Sequence, residues 1–130
     1  MTQEEIIKTI NENDVILISS HSDKTGIDLG NTKLNTSTIN SITTPPKLVF
    51  LNLCYSEEIE KISKNLLNIG VNNVIYPYLK IPDSSQTKYF ITTFFETLSK
   101  SYDIDLSFYI ATKASKTKNH YNYLLYKFCV

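Results

Sequence analysis

Hydrophobic positions in this chain form two patterns that alternate along its length. Runs rich in apolar, β-branched and aromatic residues predict four strands, over 15–18, 47–54, 71–79 and 121–130. Apolar residues at helical spacing predict four helices, over 2–11, 57–69, 85–99 and 105–114. Because Val15–Ile18 is a continuous apolar run and 47–54 contains another, Leu48–Leu51, we expect both strands to be buried on both faces. Strands that alternate with helices predict an α/β fold with helices on both faces of a mostly parallel central sheet.

Capping residues and glycines mark the ends of these elements. Thr2 and Glu5 form the capping-box pattern at the start of the first helix. Gly70 is placed to end the second helix in the C′ position. Two glycines within 24–35 predict a small surface hairpin, and 36–42 has room for one or two helical turns.

Length and charge narrow the class of protein. We expect the 130 residues to form a single domain, 1–130, with a hydrophobic core of its own. Hydrophobic residues make up 42% of the chain and charged residues 20%, which is typical of soluble globular proteins. Thirteen basic residues balance thirteen acidic ones without a basic stripe, so no nucleic-acid partner is expected.

Location and cofactors follow from what the sequence lacks. No apolar stretch approaches the ~20 residues that span a bilayer, and the acidic, polar start has no secretory character. Two distant cysteines make a poor disulfide framework, so we expect a reduced, cytoplasmic location and no membrane partner. Neither a zinc-ligand spacing nor a glycine-rich phosphate loop is present, so we predict no metal and no cofactor.

His21 and Cys54 are the residues whose positions suggest chemistry. His21 follows the first predicted strand and Cys54 ends the second. If these strands are parallel neighbours, their carboxyl ends lie side by side, where open α/β sheets bind ligands. A thiol beside an imidazole is the minimum nucleophile–base pair. Cys54 also precedes a predicted helix, whose N-terminus favours a thiolate and offers N–H groups to an oxyanion.

Simpler interpretations stay open at this point. Taken singly, Cys54 is typical of a small core residue and His21 of an ordinary loop residue. The chain also fits a small receiver-like α/β domain, which would hold Mg²⁺ with acidic residues clustered at strand ends. Only Asp23 follows the first strand and no acidic residue ends the second, which argues against a receiver.

The segments that carry His21 and Cys54 resemble a known family. Residues 18–22 (ISSHS) and 48–56 (LVFLNLCYS) are similar to the CHAT branch of the caspase-like (clan CD) cysteine peptidases. The resemblance continues, from Asp14 to the end of the chain, in 69–75, in 81–83 with the phenylalanines that follow, and in 123–126. It implies a caspase-like three-layer sandwich and a cysteine endopeptidase that acts on a peptide or protein substrate.

The resemblance also implies a role for each matched position. His21 would be the general base and Cys54 the nucleophile. The backbone N–H groups of Ser22 and Cys54 would form the oxyanion hole. Asp83 would bind the substrate side chain that precedes the scissile bond and favour a basic residue there. A plain helix N-cap is the alternative for Asp83.

Two departures from the family pattern favour a second interpretation. The family has Gly after the histidine, where this chain has Ser22, and Gly allows a close backbone approach to the substrate. The family's first strands are also missing before Val15. A catalytically degenerate domain that binds peptides or proteins without cutting them is therefore the alternative function.

The missing strands suggest association. Without them, Val15–Ser19 would become an exposed sheet edge, and a partner chain or a second copy would have to cover it. The final strand, with Tyr121, Tyr123 and Leu125 on one face, is a second candidate surface for self-association.

Overall fold

The structure, a computed structural model, describes residues 2–54, 56–77, 84–117 and 123–127. Along the chain its elements are α1 (Gln3–Glu12), β1 (Val15–Ser19), β2 (Ser22–Asp23), β3 (Gly26–Asp28), β4 (Lys33–Leu34), α2 (Thr36–Ile39), β5 (Leu48–Asn52), α3 (Glu57–Asn68), β6 (Asn73–Pro77), α4 (Ser84–Ser101), α5 (Ile104–Thr117) and β7 (Tyr123–Lys127). They form two compact units, Met1–Leu79 with Tyr123–Val130, and Lys80–Asn122.

A four-stranded sheet in the order β1-β5-β6-β7 organises the first unit. The strands β1, β5 and β6 are parallel, and β7 pairs antiparallel with β6. The protein is therefore a mixed α/β protein with a three-stranded parallel core, as the alternation of elements predicted. A separate antiparallel meander, β2-β3-β4, connects β1 to α2 and occupies the predicted hairpin region.

The hydrophobic core of this unit lies on one face of the sheet. Residues paired across parallel strands share a face, so Ile18, Leu51 and their neighbours point to the same side. The side chains that pack there come from α1, the meander, α2 and α3: Ile6, Ile10, Ile27, Leu34, Ile39, Ile59, Ile62 and Leu66. On the opposite face, Leu48, Phe50 and Ile75 are also fully buried.

The predicted helix ends are confirmed at both α1 and α3. Thr2 accepts from the Glu5 N–H, and the Glu5 carboxylate reaches back to the Thr2 N–H, which completes the capping box. Gly70 has φ +111° and follows α3 in a Schellman arrangement. The Gly70 N–H donates to the Leu67 carbonyl, and the Val71 N–H donates to the Leu66 carbonyl.

Gly26 allows the meander to close tightly. Its φ is +131°, and a β-carbon there would lie 2.5 Å from the Leu34 carbonyl oxygen. Only glycine accommodates both the backbone angle and this approach. The closure brings Ile27 and Leu34 fully into the core.

The prediction that both apolar strands are buried on both faces is wrong for β1. Val15 is 40% and Leu17 is 44% exposed, whereas Leu48 and Phe50 in β5 are completely buried. The reason is position, because β5 has a strand on each side and β1, among the residues described, pairs with β5 alone. The expectation that β1 becomes a sheet edge is confirmed within the same residues.

The second unit is a helical hairpin. Asp103 caps α5 by accepting from the Leu106 N–H at 3.0 Å. Phe90 of α4 packs edge-to-face on Phe108 of α5, with ring centroids 5.8 Å apart. Among the α5 side chains that the structure describes, Ser107 and Ala111 are buried, whereas Leu106, Tyr109 and Ile110 are exposed. None of the described helices combines the length and apolar character needed to cross a bilayer.

Candidate functional site

The pairing of β1 with β5 brings the two candidate catalytic residues to one edge of the sheet. The two strands are parallel, and their last paired residues are Ser19 and Asn52. His21 and Cys54 each follow two residues beyond that pair. Because the strands are direct neighbours, both residues leave the sheet at the same carboxyl edge. Both side chains are exposed to solvent, and Cys54 is a free cysteine.

Hydrogen bonds hold the backbone around this edge in place. The Asn52 side-chain amide donates to the Ser19 hydroxyl at 3.0 Å and ties the two strand ends together. The Ser20 hydroxyl donates to the Asp28 carbonyl, and the Asp28 N–H donates to the His21 carbonyl at 2.8 Å. His21 is therefore anchored through its backbone to β3 while its side chain stays exposed.

Ser22, the residue found where the resembled family has glycine, lies in the short strand β2. Its partner in the antiparallel ladder is Ile27. Because Asp28 donates to the carbonyl of His21, the alternation of the ladder turns the Ser22 N–H away from β3. Within the described residues, Tyr102 is the one non-glycine residue with a positive φ. Ser22 thus occupies this position without backbone strain, and its N–H is not used by the meander ladder.

The start of α3 lies just beyond Cys54 and has its own partners. Ser56 is the N-cap, and its hydroxyl accepts from the Ile59 N–H at 3.2 Å. Three carboxylates, Glu57, Glu58 and Glu60, occupy the first turn. Carboxylates at a helix N-terminus offset the positive end of the helix dipole. The support that this helix end gives to a thiolate is therefore weaker than the sequence position of Cys54 suggested.

The candidate pair is open rather than assembled. Within the described part of the chain, no hydrogen bond joins the His21 imidazole to the Cys54 thiol. Catalytic hydrogen bonds are often long or poorly aligned without substrate and tighten only when it binds. The arrangement therefore supplies the two groups at one accessible edge of the sheet.

The meander that follows His21 carries an ion pair. The Lys33 ammonium lies 2.9 Å from the Asp23 carboxylate. Hydrogen bonds from the Thr25 hydroxyl, from Lys33 and from the Thr25 N–H hold the pKa of Asp23 well below its ordinary value. The same contact with Asp23 raises the pKa of Lys33. Asp23 is therefore held by partners within the meander. The described residues contain no group of acidic, His or Cys side chains placed to bind a metal.

A cavity lined by polar and charged residues lies between the meander and the start of α3. Asp23 and Lys24 line one side, and Ser56, Glu57 and Glu58 line the other. Its charged lining is predominantly acidic. A substrate chain that reached Cys54 from this side would meet carboxylates.

Asp83, the predicted substrate-binding residue, lies outside the described residues, as does the second cysteine, Cys129. Sequence reasoning assigned no role to Asn52, which the structure identifies as the tie between β1 and β5 through Ser19. The available signal was that both are polar residues at the ends of neighbouring apolar strands.

The sequence was compared with protein-family models and with curated proteins. No protein-family model matches the chain, and no curated protein matches it.

Proposed function

We propose that this chain is a caspase-like cysteine endopeptidase domain that uses Cys54 as nucleophile and His21 as general base. The observation that carries the proposal is the β1–β5 register, which puts both residues two positions beyond the same strand pair. Their exposure at that edge gives a substrate access to both. The resemblance of 18–22 and 48–56 to the CHAT branch supports the same assignment.

The reaction follows from these groups. His21 takes the thiol proton, and the Cys54 sulfur attacks the scissile carbonyl carbon. The N–H groups of Ser22 and Cys54 donate to the oxyanion that forms. As the C–N bond breaks, His21 returns the proton to the leaving amine, which departs with its hydrogen. Water, activated by the same imidazole, then cleaves the thioester and releases the carboxylate product.

A basic residue before the scissile bond is the proposed preference. The support is the carboxylate of Asp83, in the position matched by the resemblance, and the acidic lining formed by Glu57 and Glu58. Asp83→Asn should lower kcat/KM for peptides with Arg or Lys at that position more than for matched neutral peptides. A cytoplasmic, reducing location would keep Cys54 in its thiol form.

Alkylation of Cys54 by iodoacetamide tests the catalytic pair directly. The rate is followed by mass spectrometry from about two units below neutral pH to two above, with Cys129 as internal reference. We expect Cys54 to react faster than Cys129 and to keep that advantage below neutral pH. His21→Ala should abolish the advantage, while His120→Ala, which removes the other histidine, should not.

A second candidate function is a degenerate caspase-like domain that binds a peptide without cutting it. The observation that favours it is the first turn of α3, where three carboxylates oppose a thiolate at Cys54. Replacing Glu57 and Glu58 together by Gln separates the two functions. The Cys54 alkylation rate below neutral pH could rise in that double variant and remain unchanged by His21→Ala. That result would support the binding function and contradict the endopeptidase function.

A further inference from the structure

The strand β1 presents an open hydrogen-bonding edge. The Leu48 N–H of β5 donates to the Asp14 carbonyl, so the backbone carbonyl of residue 14 points toward β5. Along a strand, the backbone groups of successive residues point alternately to one side and the other. The backbone groups of Ile16 and Ile18 therefore point toward β5, and those of Val15, Leu17 and Ser19 point away from it. Within the described residues no other strand pairs with this outer edge.

This edge lacks the devices that normally prevent strand addition. Charged side chains, proline and β-bulges protect natural sheet edges, and β1 (VILIS) contains no charged residue and no proline. Its register with β5 runs without interruption from Val15 to Ser19, so no bulge twists the edge away. Val15 and Leu17 also expose 40% and 44% of their surface. The edge is apolar, and within the described residues no strand is paired with it.

An apolar groove runs along the same edge. It lies between α1 and β1 and is lined by Ile6, Thr9, Ile10, Ile16, Leu17, Ile18 and Leu29. None of these side chains is charged. A strand added beside β1 would therefore bury apolar surface as well as satisfy the outward N–H and carbonyl groups.

We infer that a second copy of this chain occupies the edge, with the two β1 strands paired antiparallel about a two-fold axis at Leu17. In that register Leu17 faces Leu17 of the second copy, and Val15 faces its Ser19. These are the residues whose backbone groups point outward, so each facing pair exchanges two N–H···O bonds, about six in all. The pairing continues one four-stranded sheet into the other.

Self-complementarity is the reason for choosing a second copy over another partner. About the two-fold axis, Ile16 meets Ile18 on the groove face and Leu17 meets itself on the other face. No charge is buried, and no charge faces a like charge, in any facing pair. A C₂ interface requires one surface to complement itself in this way. The inference is independent of the proposed function, because it does not involve His21 or Cys54.

Light scattering after size exclusion, over a range of concentrations, measures the association. The full chain should be a dimer, and Leu17→Lys should raise its dissociation constant at least about tenfold because two ammonium groups then meet at the axis. Leu106→Lys is the matched control, since Leu106 is a leucine of similar exposure, 42%, on α5. A full chain that is monomeric at every concentration overturns the inference.

Cross-linking tests the register and does not depend on the lysine variant folding. In a Cys54→Ser, Cys129→Ser background, Leu17→Cys should form an intermolecular disulfide on oxidation, because facing α-carbons are about 5.5 Å apart. Val15→Cys should not, because its two copies lie more than about 13 Å apart along the strands. A dimer in which the Leu17→Cys variant does not cross-link, or the Val15→Cys variant cross-links equally well, has another interface and overturns the inference.

Discussion

Two neighbouring strands with nearly the same apolar content have different surroundings in this protein. The first four residues of β5, Leu48 to Leu51, are at most 2% exposed, whereas in β1 Val15 and Leu17 are among the most exposed aliphatic side chains described. Leu17 and Phe50 are register partners on the same face, yet one is 44% exposed and the other is completely buried. The apolar run predicts the strand, and the place of that strand in the sheet determines its burial.

The consequence of this difference is functional as well as energetic. Burial on both faces and pairing on both edges make β5 a rigid support for Cys54, two residues beyond its end. The strand β1, which precedes His21, is paired on one edge. The hydrogen bond from the Asn52 side chain to the Ser19 hydroxyl gives the end of β1 additional support. A partner strand on the open edge of β1 would stabilise the His21 side of the site.

Replacing a leucine by alanine in each strand should give the largest contrast in stability. Leu51→Ala leaves a cavity in the core and should lower the free energy of unfolding by about 2–5 kcal/mol. Leu17→Ala makes the same chemical change at an exposed position and should cost less than about 1 kcal/mol in the monomer. Urea unfolding followed by circular dichroism measures both.

Protein concentration separates the monomer from the proposed dimer in this experiment. The cost of Leu17→Ala should grow with concentration if the edges of β1 pair, because association stabilises the folded state. Leu51→Ala should show the same cost at all concentrations, relative to the full chain. If Leu17→Ala costs as much as Leu51→Ala in dilute monomer, β1 is not the exposed edge described above.

Proline substitution should distinguish the two edges of β1. Ile16→Pro removes an N–H that points to β5 and leaves a carbonyl of β5 unpaired, which should cost about 1–3 kcal/mol. Leu17→Pro removes an outward N–H and should leave the stability of the monomer nearly unchanged, because proline is tolerated where its nitrogen faces away from the ladder.

The same pair of variants also probes the dimer. Leu17→Pro removes two of the proposed intermolecular hydrogen bonds, so it should weaken association while keeping the monomer fold. Thermal unfolding reports the first effect and light scattering the second. Equal destabilisation of the monomer by both variants would contradict the assigned direction of the backbone in β1.

Local sequence signals predicted most of the elements correctly. The capping box at Thr2 and the glycine at position 70 determine helix ends through interactions within a few residues. These helix ends can therefore be predicted from the local sequence. The edge position of β1 depends on pairing between distant segments, which periodicity does not encode. In α5 the small residues Ser107 and Ala111 are buried, whereas the larger Leu106, Tyr109 and Ile110 are exposed. A pattern based on hydrophobicity cannot anticipate burial of this kind.

The candidate site also has features that the sequence predicts and features that it does not. That His21 and Cys54 follow neighbouring parallel strands was predictable, because each ends an apolar run and consecutive strands are often adjacent. The tie between Asn52 and Ser19 and the outward N–H of Ser22 depend on the register of two ladders. Register follows from tertiary packing, so the sequence predicted that His21 and Cys54 follow neighbouring strands but not the hydrogen bonds around them.

The smallest expected effect is on the pH dependence of stability. It concerns Asp23 in the meander that follows β1, whereas β5 is followed directly by the start of α3. The pKa of Asp23 is lowered in the folded protein by Thr25 and Lys33, so the unfolded chain takes up this proton first as the pH falls. The stability that Asp23 contributes is therefore complete above its ordinary pKa of 3.8 and is lost as the pH falls below that value. Because the pKa of Lys33 is raised, its contribution is complete below 10.5 and is lost as the pH rises above that value.

Asp23→Asn tests this directly, with Glu12→Gln as a control for the loss of an exposed carboxylate elsewhere. The difference in unfolding free energy between the full chain and Asp23→Asn should be small and constant near neutral pH, because the pair is exposed and screened by solvent. It should shrink toward zero in acid, where Asp23 becomes protonated. Urea unfolding between neutral pH and acid measures it, and subtracting the change seen with Glu12→Gln corrects for the loss of one carboxylate charge. A difference that grows in acid would mean that folding raises the pKa of Asp23 instead of lowering it, which would contradict the stabilisation of its carboxylate by Thr25 and Lys33.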